Sequence, residues 1–224
     1  VADRNVRVAA AARCQNGGMY VPDAERWNHN IEYHPLLAEA VTGAKDVLDV
    51  GCGEGMLARR IRLGGAAVTG IDPDARSIEL ARDQSGPDEI TYLQADFLEY
   101  PFEPESFDGI VSIAALHHMD TVKALTRMRE LLRPGGTLAV VGMARNDFPA
   151  DLSWEAAALL TSFKDRLFRS QWAHPSPVVW PPPQTYAETR RTAAEILPGV
   201  RYRRHILWRF SLVWTRPNPA APQG

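Results

Sequence analysis

The chain is poor in cysteine. Cys14 and Cys52 are its only two, too few for a disulfide framework and not spaced as a C-x-x-C metal pair, so no metal site is expected and a reducing cytoplasm is the natural setting. No apolar run reaches the length of a membrane helix, and the first residues show no basic-then-apolar signal layout; neither membrane insertion nor export is expected. Positive charge is not in excess either. Lys and Arg total 25 against 27 Asp and Glu, a net charge of -2, which argues against an electrostatic grip on nucleic acid and for a small or neutral partner. No internal repeat is visible, and 224 residues suffice for one domain with one core.

What the chain does have is organised around Val47-Leu48-Asp49-Val50-Gly51-Cys52-Gly53-Glu54-Gly55-Met56-Leu57-Ala58-Arg59-Arg60-Ile61, which reads as strand, tight turn and helix. A side chain at Gly51 or Gly53 would keep the backbone away from a flat ligand over the strand end. The dinucleotide fingerprint needs a glycine where Met56 stands. The spacing is therefore G-x-G-x-G, which weakens a pyrophosphate reading.

Further strands are predicted over Ala66–Ile71, Ile90–Leu93, Gly109–Ile113 and Thr137–Met143. Asp72 ends the second of them beside the glycine turn, where an acid can accept hydrogen bonds from both ribose hydroxyls; an N-cap on the helix Ala75–Arg82 is the alternative, assigned here to Asp74. Asp120 caps a helix through Leu132 with Val122, Leu125, Met128 and Leu132 on one face, and Arg133-Pro134-Gly135-Gly136 stops it. Strand and helix alternate through five strands, and Val200–Ile206 with Phe210–Trp214 read as a closing antiparallel pair, giving a three-layer α/β/α sandwich.

Asp49-x-Gly51-x-Gly53-x-Gly55, Asp72, Asp96, Leu116-His117-His118 and Leu132-Arg133-Pro134-Gly135-Gly136, in that order, resemble the class I S-adenosylmethionine-dependent methyltransferases, in particular the small-molecule branch similar to ubiquinone-biosynthesis enzymes. The resemblance spans roughly residues 45 to 145. It implies an α/β Rossmann-like, seven-stranded, mostly parallel sheet with an antiparallel last strand, and S-adenosyl-L-methionine as cofactor with S-adenosyl-L-homocysteine as product. The implied cofactor-binding residues are Asp49, Gly51, Cys52, Gly53, Asp72, Pro73, Ala95, Asp96, Phe97 and Ile113. It places Asp96 at the adenine amino group and Phe97 at its face; a turn cap and a core ring are the competing roles. Base methylation is disfavoured, because Ser-Ile-Ala-Ala-Leu-His-His stands where enzymes of that type carry Asn/Asp-Pro-Pro-Tyr/Phe.

His117 is the catalytic candidate, as a base for a protonated acceptor; packing beside the cofactor is its alternative role. Tyr20, Trp27, His34, His118, Trp172 and Trp180 are substrate-binding candidates. Residues 1–44 are assigned to N-terminal cap helices, a lid or merely a cover, and 45–145 to the cofactor core. Residues 146–198 form a helical, proline-rich insertion read as lid, spacer or docking peptide. Residues 199–217 are the closing strand pair and 218–224 a disordered tail. Ser153 is predicted to cap a helix with Ala156, Leu160, Phe163 and Leu167 at helical spacing, and Thr185 with Glu188 has capping-box spacing. Arg201, Arg203, Arg204 and Arg209 either recognise an acidic substrate or protect a sheet edge.

The expected function is methyl transfer to O, N or C of a small-molecule acceptor, by a cytoplasmic monomer or homodimer. The alternatives are a methyltransferase-fold enzyme of cyclisation or decarboxylation, an NAD(P)-dependent oxidoreductase, and a pure binding module.

Overall fold

The computed structural model describes residues 21–86, 89–168, 172 and 179–218. Tyr20, residues 1–19 and residues 219–224 lie outside them. The strands are β1 (Asp46–Val50), β2 (Ala67–Asp72), β3 (Thr91–Gln94), β4 (Phe107–Ile113), β5 (Leu132–Met143), β6 (Arg201–Arg204) and β7 (Arg209–Thr215). They form one seven-stranded sheet in the order β3-β2-β1-β4-β5-β7-β6. β1 to β5 pair in parallel, and β7 runs antiparallel to both β5 and β6. The strand order reverses between β1 and β4, the place where open α/β sheets bind ligands beyond their carboxyl ends.

Alternation along the strands assigns side chains to two cores. Leu48, Val50, Leu138 and Val140 face α4 (Thr121–Leu131) and α6 (Tyr186–Ile196), whereas Val47, Ala139 and Val141 face α1 (His34–Ala40), α2 (Met56–Arg62) and α3 (Ala75–Gln84). Arg133 ties the amino ends of the strands together by binding Asp46 at 2.8 Å and Asp108 at 3.0 Å. The Pro134-Gly135-Gly136 stop lies within β5 as a break in register between the Leu132 and Thr137 pairs.

Local signals decide the helix starts. Asp74 accepts from Ser77 N at 2.8 Å, Asp120 accepts from Lys123 N at 3.0 Å, and Thr185 and Glu188 make a reciprocal capping box. Side-chain placement differs from expectation at two helices. Val122 faces solvent, and Thr121 and Ala124 take the buried face of α4 with Leu125 and Met128. α5 (Leu152–Phe168) starts one residue before Ser153, and its Leu160 and Phe163 are 76 % and 65 % exposed. Helical spacing is there, but no layer of the sandwich is opposite that stripe. Among the described residues, no helix is long and apolar enough to cross a membrane.

Candidate active site

The glycine turn is built on close approach. Gly51 has φ +72°, and a Cβ there would lie 2.2 Å from Cβ of Ala115, so it is the loop after β4 that needs this glycine. Gly51 N and Cys52 N both donate to the Ile71 carbonyl, at 2.8 and 3.1 Å, which locks the turn onto the end of β2. Asp72 completes the lock: one carboxylate oxygen accepts from Gly53 N and the other from Asp74 N, each at 2.9 Å. It thus stands at the turn and is not the cap of α3. Cys52 is buried, and burial lifts its thiol well above the usual range, so it packs as a neutral group.

Asp49 is the anomaly of this region. Strand alternation points its side chain to the face of α2, it is 0 % exposed, and neither carboxylate oxygen has a hydrogen-bond partner among the described residues. Burial, and then the charge of Asp72, raise its pKa from 3.8 to about 7; the Ala58 N–H in the first turn of α2 works in the opposite direction. A buried carboxylate in that state is suited to receive a cation.

The remaining cofactor candidates divide. Ala95 N donates to the Asp72 carbonyl at 3.2 Å, which joins the loop after β3 to the site, and Pro73 is exposed at the same rim. Ile113 is half-buried at the end of β4. Asp96 is exposed; one oxygen accepts from Leu98 N at 2.8 Å and the other is left to solvent. Phe97 does not stand at the exposed rim with Asp96. It is buried in the α4-side core beneath the Arg127 guanidinium, the competing role weighed for it, because the turn that Asp96 caps directs the next side chain inward.

Sequence reasoning passed over Glu54, which lies between the glycines and is 4 % exposed. Its carboxylate accepts from Arg26 Nη1, Gln84 Nε2 and Trp172 Nε1, each at 3.1 Å. Arg26 also lies over the Trp172 ring at 4.5 Å, and Trp172 N donates to the Trp27 carbonyl at 2.7 Å. Arg59 extends the network by a fork onto Asp23 at 2.8 and 2.9 Å. The segment before α1 and Trp172 of the distal insertion are thereby clamped on the glycine turn. An acid in a turn that otherwise needs only small residues was the available signal. Trp27 donates to Glu32 at 3.1 Å, and His34 is buried at the start of α1.

The other side of the ligand edge begins at Ala114, whose φ of 52° is left-handed, and continues into a 3-10 turn, Leu116–His118. The His117 and His118 rings lie 4.2 Å apart. Burial, then His118 and Arg209, lower the His117 pKa to about 4, so its imidazole is neutral, and its Nδ1 is buried without a partner among the described residues. His118 is exposed and within the field of Asp72. Leu116, His117, Met143, Gln184 and Phe210 line a crevice with room for little more than a water molecule. Trp180 stands outside it, edge-on to Trp208 at 5.0 Å, and Trp208 donates to Glu155 of α5 at 2.9 Å. The structure therefore brings His117 and His118 to the edge beside Asp72, but sets Trp172 on the glycine turn and Trp180 on the β6–β7 turn.

The sequence matches a family described as methyltransferase domain over residues 48–140. It is 40 % identical to an uncharacterized methyltransferase of Mycobacterium bovis over 197 residues, covering 85 % of this chain and 98 % of that protein. A malonyl-[acyl-carrier protein] O-methyltransferase of Enterobacter lignolyticus is 36 % identical over 104 residues, covering 46 % of this chain and 41 % of that one. Among solved structures, a Pyrococcus horikoshii protein superposes with a TM-score of 0.60 at 18 % identity, covering 82 % of this chain and 87 % of its own. Human N-acetylserotonin methyltransferase in complex with S-adenosylmethionine gives 0.57 at 16 % identity, covering 84 % and 52 %. These two likenesses are of fold.

Proposed function

Because the chain belongs to the methyltransferase family, we propose that it transfers the methyl group of S-adenosylmethionine to an oxygen of a small-molecule acceptor. The observation that carries the cofactor assignment is the buried, unpartnered carboxylate of Asp49 beside the glycine turn: it fits the ammonium group that S-adenosylmethionine carries and a nicotinamide dinucleotide lacks. The name of the O-methyltransferase relative supports oxygen as the acceptor atom.

In this reading Asp72, already oriented by Gly53 N and Asp74 N, accepts from the ribose hydroxyls, and the solvent-facing oxygen of Asp96 accepts from the adenine amine. Gly51, Cys52, Gly53, Pro73, Ala95 and Ile113 supply the surface between them. When bound, the cofactor supplies a methyl group already activated on a sulfonium. What is left to the protein is alignment of acceptor, methyl and sulfur, an orientation effect of about 7 to 11 kcal/mol in favourable cases. His117 is neutral and offers a proton acceptor to a hydroxyl, and His118 lines the same edge. Trp27, His34 and Trp172 belong to the cover over the cofactor, and Trp180 with the described α5 (Leu152–Phe168) shields the acceptor side from water.

Calorimetric titration with S-adenosylhomocysteine, with NADH in parallel, tests this. Micromolar binding of the former alone is expected. Binding of NADH alone, or of neither, would overturn the assignment.

A further inference from the structure

The arginines near the closing strand pair have different surroundings. Arg201 and Arg203 point outward along the edge strand β6, and Arg204 is matched by Asp151 at 2.6 Å and by the Tyr186 ring at 4.0 Å. Arg209 is buried, at 8 % exposure. Its Nε and Nη2 donate to Asn30 Oδ1 at 3.1 and 2.7 Å, and its Nη1 donates to the Leu207 carbonyl at 2.8 Å. All these acceptors are neutral. Among the described residues the acid within its field is Glu32, a weaker influence than Tyr33 or Tyr186. One N–H on Nη1 and one on Nη2 have no acceptor among the described residues, the pair of nitrogens that a planar carboxylate bridges.

Burying a cation without a counter-ion is costly. Leu207 and Trp208, neither glycine nor asparagine, hold left-handed φ values of 60° and 59° in the turn that delivers Arg209 and the carbonyl it grips. Because β7 is antiparallel, its first residue lies at the carboxyl-end edge, paired with Met143 of the crevice and near enough to His117 to depress its basicity. The glycine turn lies three strand spacings away, about 14 Å, across β4 and β5. Arg209 is thus on the acceptor side of the edge.

We propose that Arg209 anchors a carboxylate of the methyl acceptor, which is therefore an organic acid. A monoanion balances one buried guanidinium; a phosphate would call for a second unmatched cation, and Arg204 is already matched. This inference rests on the methyl-transfer reading and narrows it.

The test titrates the protein, loaded with S-adenosylhomocysteine, with benzoate and hexanoate and with benzamide and hexanamide, at constant ionic strength. The acids should bind at least about tenfold more tightly than the amides. Arg209→Gln should abolish that preference while keeping affinity for S-adenosylhomocysteine, and Arg209→Lys, with the charge but no fork, should fall between. Equal binding of acids and amides, binding of neither, or a loss of S-adenosylhomocysteine affinity in Arg209→Gln would overturn the proposal. If the variant does not fold, the acid-to-amide comparison on the wild type decides alone. Failure of S-adenosylhomocysteine to bind the wild type would sink the methyl-transfer reading, and acid preference of the unloaded protein would still report on Arg209.

Discussion

At the β1–β2 end of the ligand edge, the polar groups that shape the glycine turn are tied to one another: Asp72 holds Gly53 and Asp74, Ile71 holds Gly51 and Cys52, and Glu54 collects three donors from three parts of the chain. At the β5–β7 end a crevice barely admits water, Leu207 and Trp208 hold a strained turn, and α5 turns Leu160 and Phe163 to solvent. The first end is set before a ligand arrives. The second is arranged around groups only partly matched among the described residues: Arg209, whose acceptors are all neutral, and the Nδ1 of His117, which has none. A ligand whose shape is fixed suits the first, and an acceptor that completes the pocket as it enters suits the second.

Asp49→Asn is the sharpest way to probe the first end, since Asp49 is a buried carboxylate there with no hydrogen-bond partner among the described residues. Loss of a charged hydrogen-bond partner should weaken S-adenosylmethionine binding by roughly tenfold to a hundredfold. Stability should move the other way. With the folded pKa raised from 3.8 to about 7, the free wild-type protein is most stable below 3.8 and loses stability as pH rises toward 7. The variant lacks that slope, so at pH of about 8 it should be more stable without cofactor, by at most ~4 kcal/mol. Melts at acid and alkaline pH check this; parallel pH profiles for the two proteins would remove the charge argument. Gly51→Ala should come next, destabilising by about 2 to 4 kcal/mol through its left-handed φ and its collision with Ala115, whereas Gly65→Ala, with open space around it, should cost about 1 kcal/mol. Equal losses in denaturant titrations would mean that the loop after β4 yields.

The same division explains what could be read from the sequence. The glycine turn, the Asp74 cap and the Thr185 capping box are local chemistry, each written within a few residues. Glu54 was not legible because its partners lie 28, 30 and 118 positions away. Phe97 could not be assigned from sequence alone, because an aromatic after an acid looks the same whether it covers a purine or a core. The stripe of α5 shows where periodicity stops: Leu160 and Phe163 recur at helical spacing, but spacing does not reveal whether a layer lies opposite. Arg209 and Arg203 stand in similar sequence surroundings, and only the turn between β6 and β7 makes one inward and the other outward.

Glu54→Gln tests whether the cover depends on the turn. It keeps the shape and removes the charge opposite the buried Arg26, so a loss of about 1 to 3 kcal/mol is expected, measured by denaturant titration. Protease cleavage near Trp172 should quicken in the same variant, since one amide oxygen replaces two carboxylate oxygens and the indole must compete for it with Arg26 and Gln84. A variant as stable as the wild type and cleaved no faster would show that the clamp is held elsewhere.

The smallest effect is expected at α5. Leu160 is 76 % exposed, so replacing it with lysine removes little buried area and should change stability by no more than about 0.5 kcal/mol, against roughly 2 to 5 kcal/mol for Leu125→Ala in the α4 core. Thermal or denaturant melts of the two variants give the contrast directly. A loss above about 1 kcal/mol at Leu160 would mean that the stripe is covered in solution. The acceptor end would then be as closed as the glycine turn, and the difference between the two ends would lie in their ligands rather than in how firmly each is built.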